Sequence, residues 1–110
     1  FSALREDEFG TLIGCGIGGS QTEMINDAIF ARSPLSIDSA KNMISSLRCL
    51  VNEQIKITSS ELWAASEYLS SFSQFACTVP FKKFSFELNP VKIYDDQAIA
   101  VDGLLVINEP

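Results

Sequence analysis

The chain has 110 residues, 46% of them apolar and 20% charged, and a net charge of −6. That is the make-up of one globular domain with a single core, and no run approaches the roughly 20 apolar residues that span a bilayer, so no membrane insertion is expected. The acidic balance opposes binding to nucleic acid, whose affinity comes from Lys and Arg; Lys82 and Lys83 are the only adjacent basic pair.

Residues 1–9 mix apolar ends with the charged run Arg5-Glu6-Asp7-Glu8 and read as a helical turn or a lead-in. Residues 10–18 read as a strand in which Gly14, Gly16 and Gly18 leave one face nearly bare. Ser20 and Glu23 have the form of a capping box, and Met24, Ile25, Ala28 and Ile29 follow at helical spacing. This predicts a first helix from Ser20 to about Arg32, ended by Pro34. Ser33-Pro34-Leu35-Ser36 is a connection, residues 37–42 a short turn, and Met43 to Val51 a buried strand, with a short helix competing for its first half. Thr58 with Glu61 forms a second capping signal. Leu62, Ala65, Leu69 and Phe72 continue it, predicting a helix over 59–72. Phe75 to Val79 is a strand candidate stopped by Pro80. Phe84, Phe86 and Leu88 alternate as a half-buried strand, Asp95-Asp96-Gln97 is a turn, and Ala98 to Ile107 is the last strand, bent at Asp102-Gly103.

The order predicts an α/β (α+β) two-layer sandwich, with about four strands in a mixed sheet and two main helices on one face. Residues 1–110 form one domain. The start at Phe1, without an initiator Met and without a basic-then-apolar targeting segment, suggests a piece of a longer chain. With no histidine and with Cys15, Cys49 and Cys77 widely separated, neither a Cys/His metal site nor a Ser-His or Cys-His pair is available. Three unpaired cysteines in apolar surroundings suggest buried structural thiols and a reducing compartment. Asp95-Asp96 reads as a solvated turn, and no pair of carboxylates stands out as an acid/base couple.

Gly14, Gly16 and Gly19 spell G-x-G-x-x-G. A dinucleotide fold would need a strand promptly after the helix, ending in an acidic residue. Here the helix runs into Ser-Pro-Leu-Ser, and 110 residues cannot hold a six-stranded doubly wound sheet. Close packing of strand against helix explains the glycines more simply.

Ile13-Gly14-Cys15-Gly16, the capped helix with Ala28-Ile29, Ser33-Pro34-Leu35, Ile37 with Ala40-Lys41, and Ile57-Thr58 with Glu61 come in an order that resembles the C-terminal domain of FtsZ, the tubulin-related division GTPase. The closing run Ala98 to Ile107 is similar to that domain's last strand. The resemblance implies a non-catalytic assembly domain, with no cofactor of its own, that contacts FtsZ-type subunits or itself. It also implies a place in the cytoplasm or chloroplast stroma, with division regulators of plastids as one candidate class. The implied contact surface includes Gly18, Gly19, Ser33, Pro34, Leu35, Lys82 and Lys83. Two other readings stay open: a nucleotide-binding enzyme fragment using the Gly14–Gly19 turn, and a regulatory α/β sandwich that binds a small ligand.

Overall fold

The computed structural model describes residues 1–6, 10–16, 27–53 and 55–108. Strands β1 (Ser2–Glu6), β2 (Gly10–Gly16) and β3 (Ala28–Arg32) come first. Helices α1 (Ile37–Ser45), α2 (Arg48–Val51) and α3 (Ser59–Thr78) follow, and then β4 (Phe84–Leu88), β5 (Val91–Tyr94), β6 (Gln97–Ala100) and β7 (Gly103–Ile107). The main sheet has five strands in the order β3-β2-β1-β4-β7, and every pairing is antiparallel. The protein is therefore a mixed α+β domain, with an antiparallel sheet in place of the expected mixed one.

Alternation decides what each sheet face does. Ala3, Ile13, Cys15, Phe84 and Leu88 point to one face, where they join Ala40, Met43, Ile44, Leu69, Phe72 and Ala76 of α1 and α3 in one core. The opposite face carries Leu4, Phe30, Leu104 and Val106, all exposed. β1 replaces the expected helical turn because Arg5, which reads as solvated, instead reaches inward. Its guanidinium donates to the carbonyls of Ala76 at 2.7 Å and Phe81 at 2.9 Å, and also to that of Val79.

The expected first helix is corrected over Ala28–Arg32, which is strand β3 paired with β2. The i, i+4 apolar spacing suited a helix, but side chains alternating between the two sheet faces suit a strand equally, and pairing with β2 decides. Ser20 and Glu23, the proposed capping box, lie outside the described residues.

The expected strand over Met43–Val51 is also corrected. Ser36 caps α1 by accepting from Ser39 N at 3.0 Å, and Ala40, Met43 and Ile44 form its buried stripe. Asp27 starts α2: its carboxylate accepts from Arg48 N at 2.7 Å and Cys49 N at 2.9 Å. The second predicted helix stands, with its capping box at Thr58 and Glu61, but it runs on to Thr78. The strand expected at Phe75–Val79 is its last turn, kept helical by the buried spacing of Leu69, Phe72 and Ala76.

Three buried serines of α3, Ser66, Ser70 and Ser73, all have hydrogen-bond partners, some within the helix and some on the connection before α1. Ser70 Oγ donates to Leu35 O at 2.7 Å, and Ser73 Oγ accepts from Leu35 N at 2.9 Å. The Ser33-Pro34-Leu35 connection is thereby stitched to the helix.

The last four strands form one long hairpin. Leu88 pairs with Gly103 and Val91 with Ala100. Between them Asn89 N donates to Asp102 O at 3.1 Å and Val101 N to Pro90 O at 2.9 Å. The ladder never stops, but it leaves the main sheet at Asn89-Pro90. The predicted last strand is thus two, β6 and β7, divided at the expected Asp102-Gly103. The tip turns through Asp95 and Asp96, both with positive φ (53° and 59°), as two-residue hairpin turns require.

Candidate functional site

The hairpin corner concentrates oxygen ligands. Glu87 and Asn89 are two residues apart along the chain, and Asn89 Nδ2 donates to Glu87 Oε1 at 3.1 Å. Asp102 follows from the register as the partner of Asn89, and its Oδ1 accepts from Gly103 N at 2.8 Å. One carboxylate and one carboxamide therefore touch at this corner, and the strand register places Asp102 opposite the carboxamide residue. Among the described residues no group of three His, Cys, Asp or Glu could hold a metal by itself.

Beside this corner lies a cavity of about 770 Å³ lined from five strands, β1 to β5. Its lining includes Gly14, Phe30, Glu87, Asn89 and Lys92. Gly14 and Gly16 are needed here for space. A methyl carbon on Gly14 would sit 2.6 Å from Phe30 Cε1, and one on Gly16 would sit 3.0 Å from the Asp27 carbonyl oxygen. The glycines thus let strand approach strand and let a ring lie on the sheet, rather than serving a strand–helix contact.

Cys15 also lines the cavity, but burial pushes its thiol up to about 11. A neutral thiol is a poor nucleophile. Cys49 is pushed up to about 11 as well, by burial and then by its bond to Asp27. For Asp27, burial pulls the carboxyl upward, but the N–H donors of Cys49 and Arg48 outweigh it and hold the group below its ordinary 3.8. Asp27 is thus a charged anchor beneath the cavity wall. Cys15 and Cys49 are buried as expected, whereas Cys77 is exposed, its Sγ 3.0 Å from Ser33 Oγ.

The residues singled out from sequence fall elsewhere. Gly18 and Gly19 lie outside the described residues. Ser33 and Pro34, with Lys82 and Lys83, sit at the end of the sheet opposite the cavity, where Thr11 O accepts from Ser33 N and Lys83 O accepts from Asn108 N. Leu35 is buried in the core. Sequence reading missed Glu87, Asn89 and Asp102. The available signal was Glu-Leu-Asn-Pro closing an alternating strand and Asp-Gly interrupting the next, which together place acidic and amide groups at one hairpin bend.

A family model described as an ATP-grasp domain matches residues 1–107. Among curated proteins, the chain is 24% identical over 106 residues to the ADP-forming acetate–CoA ligase I subunit beta of Pyrococcus furiosus, covering 94% of this chain and 45% of that protein. It is 27% identical over 111 residues to the ADP-forming acetate–CoA ligase I of Archaeoglobus fulgidus, covering 96% of this chain and 16% of that one. The chain thus spans less than half the length of these relatives.

The fold is similar to that of dinucleotide-forming acetyl-coenzyme A synthetase 1 from Ca. Korarchaeum cryptofilum. In its complex with coenzyme A and Mg-AMPPCP, the TM-score is 0.76 at 22% identity, over 97% of this chain and 51% of that one. In its complex with coenzyme A, acetyl-coenzyme A and a phosphorylated phosphohistidine segment, the TM-score is 0.79 at 23% identity, over 97% and 48%.

These matches overturn the FtsZ resemblance and the division and filament-assembly role drawn from it. They also overturn the non-catalytic reading, because the relatives are ligases. The nucleotide-binding enzyme fragment is the alternative the matches favour.

Proposed function

This chain belongs to the ATP-grasp domain family, and from that premise we propose that its Glu87–Asn89–Asp102 corner holds the Mg²⁺-bound phosphates of ATP, as part of an ADP-forming acyl-CoA ligase. The observation that carries the reading is the hairpin bend: Glu87 and Asn89 touch each other on the cavity lining, and the register sets Asp102 opposite Asn89. Mg²⁺ takes oxygen ligands and is usually held by one or two carboxylates plus substrate phosphates rather than by a full protein cage. The donor set fits that demand: Glu87 and Asp102 supply charge, and Asn89 supplies a neutral oxygen. Bound there, the ion would offset the negative charge of the polyphosphate. Lys92, also on the cavity, adds a compact positive charge on the same side.

This reading replaces the expectation of a domain without a cofactor. The relatives are more than twice as long, which supports a reaction that needs polypeptide beyond these residues. Protein partners in this reading are the remaining parts of such a ligase, in place of FtsZ-type subunits. Three free cysteines support a reducing compartment.

Titration calorimetry with ATP tests the site. Binding is expected with Mg²⁺ and is expected to vanish with EDTA. Asn89→Ala and Asp102→Asn should each weaken it about tenfold or more, the cost of a lost charge-assisted contact. Nucleotide binding that ignores Mg²⁺, or that survives both substitutions unchanged, would overturn the proposal.

A further inference from the structure

Strand β7 closes one side of the main sheet, with β4 on its inner flank and no strand beyond it among the described residues. Asn108 N donates to Lys83 O, and Asp102 O accepts from Asn89 N, so the residues bounding β7 turn their backbone groups toward β4. In an antiparallel ladder these groups alternate from side to side. The backbone groups of Gly103, Leu105 and Ile107 therefore point outward. The N–H of Gly103 is taken by Asp102 Oδ1 at 2.8 Å. Two N–H groups and three carbonyls remain along the edge.

Native sheets blunt such edges with Lys, Pro, a bulge or a covering element. β7 reads Gly-Leu-Leu-Val-Ile, and its register with β4 is unbroken from 103 to 107. All five of its residues are exposed. Leu104 and Val106 lie bare on the open face. Leu105 and Ile107, on the helix side, are still 43% and 46% exposed, because α3 lies over β4: Phe72 and Phe75 both set their rings edge-on to Phe86. Phe75 is itself half exposed and carries the apolar surface from β7 onto the helix layer.

The occupant such an edge accepts is an uncharged strand that is apolar on both faces, and β7 itself meets that description. Antiparallel pairing of two copies about Leu105 sets Leu105 opposite Leu105, Gly103 opposite Ile107, and Leu104 opposite Val106. Asp102 then faces Asn108, so no like charges meet. Each Leu105 N–H reaches the other Leu105 carbonyl, and each Ile107 N–H reaches a Gly103 carbonyl. Gly103 is bare and backed by Leu88 and Phe86, whose nearest atoms lie 3.3 and 3.4 Å from where its methyl carbon would be, so the incoming Ile107 has an apolar floor. The four β7 side chains and Phe75 expose on the order of 500 Å² per copy, so a pair buries about 1,000 Å², the lower bound for a specific interface. A contact of β7 with the other edge, β3, is head-to-tail and leaves a free β7 at the end of every chain of copies, so it does not close.

We infer that β7 is the interface of a twofold dimer of this chain, in which two five-stranded sheets continue into one. The cavity is lined from β1 to β5, so pairing leaves it open.

Sedimentation equilibrium from about 10 μM to 1 mM chain tests the pairing, the range suited to an interface of this size. The mass should rise from one copy to two. Leu105→Lys sets two like charges on the twofold axis and should weaken the dimer about tenfold or more, with an unchanged circular dichroism spectrum. A second arm reads the register in a Cys77→Ser background, which removes the exposed thiol. Leu105→Cys should form a disulfide-linked dimer on oxidation, because directly paired Cα atoms about 5.5 Å apart are within reach of a bridge. Leu104→Cys should not, because its mate is a diagonal neighbour about 7–8 Å away. A one-copy mass up to 1 mM, or cross-linking at 104 equal to that at 105, would overturn the inference. A mass that climbs past two copies would assign β7 to the head-to-tail contact with β3 and would overturn the twofold dimer as well.

Discussion

Replacing Arg5 by Met should destabilise the fold by about 3 kcal/mol without touching the cavity. The guanidinium sits at the C-terminal end of α3, where carbonyls lack helical partners and the helix dipole is negative. It donates to Ala76 O, Val79 O and Phe81 O, and its Nε donates to Thr11 Oγ1 at 2.9 Å. It also lies 4.8 Å from the centre of the Phe84 ring. A hydrogen bond to a charged group contributes about 1.5–3 kcal/mol net, and a partly exposed cation over a ring about 0.5–1 kcal/mol. The bonds share one group and do not add, and water reaches part of the vacated space. One strong charged bond plus the ring contact therefore sets the scale. With 110 residues and an unfolding entropy of roughly 2.1 cal/mol/K per residue, 3 kcal/mol lowers Tm by about 13 °C. Met keeps the apolar stem, so the change reports the head group. Arg5→Lys should recover less than half, since one ammonium cannot fork across three carbonyls. Urea unfolding followed by circular dichroism measures both variants. A midpoint for Arg5→Met within about 0.5 kcal/mol of the parent, at unchanged m-value, would refute the role of Arg5 as the tie between β1 and α3.

Two further outcomes follow from the buried groups. Asp27 holds the start of α2, and its folded-state pKa lies below the ordinary 3.8. Its contribution is therefore present above that value and lost as pH falls through the folded pKa. Asp27→Asn should cost about 1 kcal/mol at neutral pH, as helix-start bonds do, and should flatten the loss of stability expected of the parent below about pH 4; parallel acid titrations of urea midpoints would show this, and identical slopes would contradict it. For the thiols, a coloured disulfide reagent at neutral pH should modify only Cys77 in the folded protein, with Cys15 and Cys49 reacting only after unfolding. Rapid modification of all three would show that burial does not protect them.

Much of the backbone was legible where one local signal faced no competitor. Thr58 with Glu61 is a complete capping box in sequence and in space, and Phe84-Phe86-Leu88 alternates as β4 does. The errors share one cause. Ala28–Arg32 and Met43–Val51 are short apolar runs whose spacing fits either period, and their neighbours decide. β2 supplies a paired edge for the first, while Ser36 and Asp27 cap the second as helices. Asp27 lies more than twenty residues from the amides it caps, so no local reading finds it. Arg5 is similar: the carbonyls it satisfies lie more than seventy residues along the chain.

The site was least legible because its residues are ordinary one by one. A Glu, an Asn before a proline and an Asp before a glycine are commonplace until the hairpin register puts Asn89 opposite Asp102. The glycine stretch drew attention to the right region, and its turn at Gly18 and Gly19 lies outside the described residues. As a phosphate-binding fingerprint it calls for backbone N–H groups at a helix start. In the structure Gly14 and Gly16 remove side chains from the open face of a strand, and the polar groups come from the end of β4 and the bend beyond it, distant in sequence. What makes the cavity is thus a division of labour. The early strands supply an empty floor and an aromatic ring, and the late hairpin supplies the charged oxygens. Neither half alone has both the open face and the polar groups that line the cavity.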